Sequence, residues 1–155
     1  MEYASIEREI HVQASPEVVF EVVSRPEHLK EWWPDDISLD SSAPGATGEL
    51  IWGDDANPRA NVVAMTVVES DPPRRFAFRW THAIDEEAEV GNSLLVVFEL
   101  TPTDTGTSLR MTETGFREMG WEAAVLEAAY VDHVQGWDHF IPRLRTYADR
   151  LVASS

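Results

Sequence analysis

Gly136-Trp137-Asp138-His139-Phe140-Ile141-Pro142-Arg143-Leu144-Arg145-Thr146-Tyr147-Ala148-Asp149-Arg150-Leu151 is the stretch on which the fold turns. Trp137, Phe140, Ile141, Leu144, Tyr147, Ala148 and Leu151 recur at helical spacing, and the stripe extends backward through Val134, Tyr130 and Leu126. Asp138, His139, Arg143, Arg145, Asp149 and Arg150 fall on the opposite face. Such a helix, running from Trp121 onward, must lay its apolar stripe on something. Pro142 removes the backbone bond to the Asp138 carbonyl, so a kink is expected there.

The partner surface comes earlier in the chain. From Asp35 the sequence reads as a meander, with strands expected near 37–42, 47–52, 60–69, 74–82, 92–101 and 106–114. Turn signals separate them: Pro44-Gly45, the Gly53–Pro58 stretch, Asp71-Pro72-Pro73 and Asp104-Thr105-Gly106. No Pro or Gly interrupts Ser93–Thr101, which predicts the central strand. Before the meander, Ile6–Gln13 alternates as a half-buried strand. Ser15-Pro16-Glu17 then opens a short helix with a cap, a proline at the first position and an acid at the positive end. Pro26 opens a second short helix that reaches Trp32-Trp33 and is stopped by Pro34. Strand, two short helices, six antiparallel strands and a long helix define an α+β fold. No linker or repeat divides the chain, so residues 1–155 read as one domain.

Composition narrows the partners. Twenty-eight acids against twelve bases give a net charge of −16. Such a surface repels phosphate backbones and anionic headgroups, so neither nucleic acid nor membrane insertion is expected. No apolar run reaches membrane-spanning length, and Met1-Glu2-Tyr3-Ala4 lacks the start of a secretory signal. There are no cysteines, which removes disulfides and thiol chemistry and makes a reducing cytoplasm the expected setting.

Several segments, taken in order, resemble a known family. Ala14–Phe20, Pro26-Glu27-His28-Leu29, Trp32-Trp33-Pro34, Asp71–Trp80, Gly106–Leu109, Gly115-Phe116 and Gly136-Trp137 with Leu144 are similar to START-like domains. More narrowly they resemble homologues of the C-terminal domain of the activator of the heat-shock protein 90 ATPase. The resemblance implies a helix-grip fold whose curved sheet and terminal helix enclose a cavity. In many relatives that cavity takes lipids, polyketides, hormones or other hydrophobic molecules. Gly45-Ala46-Thr47-Gly48 and Pro142 depart from the family's pattern, and the family carries no catalytic signature to transfer.

Strand parity supplies candidate cavity residues. Phe76, Phe78 and Trp80 share one face, as do Leu94, Val96, Phe98 and Leu100, then Leu109, Met111 and Glu113, and Leu50 with Trp52. With Trp33 as a roof and Tyr130 and Trp137 as donors from the helix, the candidate ligand-binding set is Trp33, Trp52, Phe78, Trp80, Phe98, Met111, Glu113, Tyr130 and Trp137. Glu113 is the sharpest, because an inward carboxylate must find donors or a water-filled mouth. Arg8, which shares parity with Ile6 and Ile10, is a candidate partner for it. His82 is expected on the rim, in solvent. The five histidines show no metal-ligand spacing, and His133 and His139 fall on different helix faces. There is no phosphate-binding glycine loop and no serine nucleophile elbow, so no cofactor, metal or catalytic residue is expected.

Three roles follow. The first is binding of a small hydrophobic or aromatic molecule, the second a cyclase, dehydratase or hydrolase using Glu113 as acid/base. The third is a protein-partner module of co-chaperone type, or a homodimer formed through a sheet edge or helix.

Overall fold

The computed structural model describes residues 3–153. Seven strands form one antiparallel sheet in the order β1-β7-β6-β5-β4-β3-β2. They are β1 (Ser5–Val12), β2 (Asp36–Leu39), β3 (Thr47–Trp52), β4 (Asn61–Asp71), β5 (Arg75–Trp80), β6 (Leu94–Thr103) and β7 (Gly106–Thr114). Two short helices, α1 (Pro16–Ser24) and α2 (Pro26–Trp32), follow the first strand, and α3 (Ala123–Ala153) ends the chain. The predicted α+β helix-grip layout is the one observed, and each strand lies where alternation and turn residues place it. A 3-10 turn at Arg117–Met119 precedes α3.

The sheet's middle strand is β5, not the predicted Ser93–Thr101 stretch, which forms most of β6 beside it. Absence of Pro and Gly does not separate interior strands from edges here, since the edge strands β1 and β2 also lack both while interior β3 carries Gly48. Nor can it rank two interior neighbours. The apolar parity of β5, β6 and β7 is realised in full: Phe76, Phe78, Leu94, Val96, Phe98, Leu109 and Met111 are all completely buried.

Local chemistry sets the short helices. Ser15 accepts a hydrogen bond from the Val18 amide at 3.3 Å, with Pro16 at the first helical position and Glu17 in the first turn. Trp32 at the end of α2 is fully buried and donates its indole N–H to the Val22 carbonyl at 2.9 Å, tying the two helices together. α3 runs through Pro142 without a break. Its sheet-facing stripe buries Trp137, Ile141, Leu144 and Ala148 and half-buries Leu126, Tyr130, Val134, Phe140, Tyr147 and Leu151. No helix among the described residues is long and apolar enough to cross a membrane.

Candidate functional site

Glu113 sits on β7 opposite Val96 of β6 and Ile6 of β1, and it has no exposed surface. Three donors converge on it. Trp80 of β5 gives its indole N–H to Oε2 at 2.7 Å, and Trp137 of α3 gives its own to Oε1 at 2.9 Å. His133, one helical turn before Trp137, places Nδ1 at 2.9 and 3.1 Å from the two oxygens. Burying an unpaired carboxylate would cost several kcal/mol or more, and these donors replace the lost water. The carboxylate thus fastens the sheet to the helix from inside.

The predicted pairing with Arg8 is not made. Arg8 Nε binds Asp138 Oδ1 at 2.7 Å, in a solvent-exposed pair. The guanidinium keeps its charge in contact with water, a cheaper arrangement than burial beside Glu113.

Beside this knot lies a cavity of about 590 Å³. Trp33, Trp52, Trp80, Trp137, Phe140 and Val63 form its apolar walls. Trp33, almost fully buried, is the hub. Its ring lies 4.9 Å from Trp80, 5.4 Å from Trp137 in a near-stacked pose, and 5.9 Å from Trp52. Asn61, Thr81, Asp132, His133 and Gln135 add polar atoms, and Gly136 of α3 completes the wall. A Cβ built on Gly136 would meet nothing within 4 Å.

Four of the nine candidates, Trp33, Trp52, Trp80 and Trp137, therefore line the cavity. Phe78, Phe98 and Met111 point inward as parity requires but are packed solid, with no exposed surface. Glu113 lies behind the wall rather than in it. Tyr130 is spent elsewhere: its hydroxyl donates to the Ser5 carbonyl at 2.7 Å, and its ring packs on Tyr3 and Phe116. Nor is the Trp137 N–H a free donor, since Glu113 takes it. Trp32 and Trp33 divide the work as one core ring and one cavity ring.

His133 was missed. Its spacing from His139 argues against a metal pair, but the informative neighbours are Tyr130 and Trp137, three residues before and four after. That register places it on the sheet-facing stripe.

His82 also differs from expectation. Thr81 takes a positive φ of 71°, and the chain turns after β5. His82 is 7% exposed instead of solvated at the rim, with Nε2 3.2 Å from Thr66 Oγ1. Burial pulls its pKa below the ordinary 6.5, against a smaller opposing effect of Glu86. Tyr147 moves the other way: burial raises its phenol pKa, helped by Glu31 and Glu27, while its hydroxyl sits 2.7 Å from His28 Nδ1. Among the described residues, no three His, Cys, Asp or Glu side chains gather as a metal site.

A curved antiparallel sheet closed by a C-terminal helix over an aromatic cavity defines the helix-grip class. The family of Activator of Hsp90 ATPase homolog 1-like proteins matches residues 13–149, and the chain belongs to it. No curated protein matches. Among solved structures, protein MLL2253 from Mesorhizobium loti is 23% identical with a TM-score of 0.72, over 94% of this chain and 97% of that one. The Aha1 dimer from Colwellia psychrerythraea is 19% identical with a TM-score of 0.69, over 94% and 96%. DynU16, from the dynemicin biosynthetic locus, is 22% identical with a TM-score of 0.68, over 93% of this chain and 46% of that one. At these identities the likeness is one of fold.

Proposed function

We propose that this protein binds a small hydrophobic, aromatic molecule in the cavity between the sheet and α3. The observation that carries the reading is the wall itself: four tryptophans around about 590 Å³, a volume within the range of small-molecule sites. Gly136 supports it. A glycine inside a helix costs about 0.5–1 kcal/mol relative to alanine, and here no close neighbour demands it. What its missing side chain provides is space in the cavity.

The enzyme reading built on Glu113 loses its footing, because that carboxylate is saturated by three donors and faces no cavity. Self-association has one observation in its favour, the dimer formed by the Colwellia relative. Light scattering on the purified protein tests it.

The binding reading is tested by thermal shift across a panel of neutral one- to three-ring aromatics. A ligand present at 100 times its Kd adds about 2.7 kcal/mol, a rise of roughly 5–10 °C for a chain of this size. A flat response across the panel, with no small molecule retained in native mass spectra, would contradict the reading.

A further inference from the structure

The geometry points to His133 as the group that selects the ligand, accepting a hydrogen bond through Nε2 from the hydroxyl of an aromatic alcohol. This inference rests on the cavity being a binding site and names what fits it. The argument begins with Glu113. Indole N–H groups can only donate, so Trp80 and Trp137 fix both Glu113 oxygens as acceptors. The Nδ1 of His133 faces the same two oxygens at 2.9 and 3.1 Å. A carboxylate accepts, so the Nδ1 atom carries the imidazole proton. When the ring is neutral it has one N–H, and Nε2 is then left bare. In water the other tautomer is preferred; here the buried carboxylate reverses the choice.

Nε2 has no hydrogen-bond partner among the described residues, and it is not one of the fully buried polar atoms that lack one. His133 itself forms part of the cavity wall, its ring 5.2 Å from Trp80 and edge-on to Phe116 at 5.5 Å. With Nδ1 turned to Glu113 behind the wall, Nε2 is the ring nitrogen left to face the cavity, beside the tryptophan faces and the polar atoms of Asn61, Thr81 and Gln135. An apolar ring with an O–H satisfies the tryptophan faces and Nε2 together, and a ring without a donor leaves Nε2 desolvated and unpaired. A carboxylate ligand is disfavoured by Asp132 in the wall and by the −16 charge of the chain. Glu113 is a positioning residue in this scheme, and His133 sets specificity.

The test has two arms. In the uniformly ¹⁵N-labelled protein at mildly alkaline pH, the imidazole of His133, assigned by its loss in His133→Phe, should show a protonated Nδ1 and a bare Nε2. The opposite tautomer would overturn the inference without touching the cavity reading. In calorimetric titrations, 2-naphthol should bind about tenfold more tightly than 2-methoxynaphthalene, the scale of one hydrogen bond at a desolvated acceptor. His133→Phe, which keeps a ring between Trp80 and Phe116, should shrink that preference to within about twofold. Equal binding of the two probes to the wild type would sink the inference alone. If neither binds, the cavity reading falls and takes this one with it. In Glu113→Gln the amide N–H₂ can donate to Nδ1 and leave the proton on Nε2; both probes carry an oxygen that accepts from it, so the preference for 2-naphthol should shrink toward about twofold as the Nε2 signal becomes that of a protonated nitrogen.

Discussion

At the scale of single residues, the interior is organised by one carboxylate. Glu113 was legible from strand alternation alone, because its neighbours Leu109 and Met111 left it no outward option. Its donors were less legible. Parity aims Trp80 and Trp137 inward, but which atom an indole N–H meets depends on how helix and sheet cross. Arg8 shows the same limit, since the correct face led to the wrong partner. Truncating the carboxylate should be severe. Glu113→Leu leaves two indole N–H groups and the His133 Nδ1 without acceptors, and at about 1–3 kcal/mol for each the loss should exceed roughly 3 kcal/mol in urea unfolding. A cost under about 1 kcal/mol, the worth of an ordinary surface contact, would mean the knot contributes little.

His82 makes a second prediction at this scale. Its folded pKa lies below the ordinary 6.5 because burial penalises the cation. The neutral ring's contribution to stability is therefore full above about pH 6.5. As pH falls, the unfolded chain takes up the proton first, and the contribution is lost through the lower folded pKa. Between about pH 8 and 5, wild type should lose more stability than His82→Asn, as read from urea midpoints. Parallel curves for the two would show that this histidine is not the group responsible.

At the scale of elements, α3 is where the sequence speaks most plainly. Its stripe from Leu126 to Leu151 is the buried face, because a 3.6-residue period leaves no other way to hide those side chains. The strand limits in the meander were equally accessible, since Pro and Gly punctuate nearly every turn. What periodicity could not give was the gap in the helix's cover. In the sequence Gly136 stands out only as part of the Gly136-Trp137 pair of the family resemblance; the packing reveals that it faces open space. Gly136→Ala should then stabilise the fold by about 0.5–1 kcal/mol, because its methyl has room. Gly48 offers the contrast: a Cβ there would collide with the Ser38 carbonyl oxygen of β2. Gly48→Ala should destabilise by about 1–3 kcal/mol, and the two variants together separate a glycine needed for strand pairing from one that holds space open.

At the scale of the whole molecule, fold and cavity have different degrees of visibility from sequence. The fold follows from repeated, redundant signals, so losing one of them changes little. The cavity is a difference between two large volumes, the shell that sheet and helix enclose and the side chains that fill it. Phe78, Phe98 and Met111 share the inward orientation of Trp80, yet they fill space and Trp80 borders it. No pattern along the chain encodes that distinction. Filling the space from the helix therefore tests the account most directly. Calorimetric titration of 2-naphthol into wild type and Gly136→Leu, with both shown folded by circular dichroism, should give saturable binding to the first and none to the second. Equal binding to both would place the ligand elsewhere, and no binding to wild type would leave the cavity without the role assigned to it.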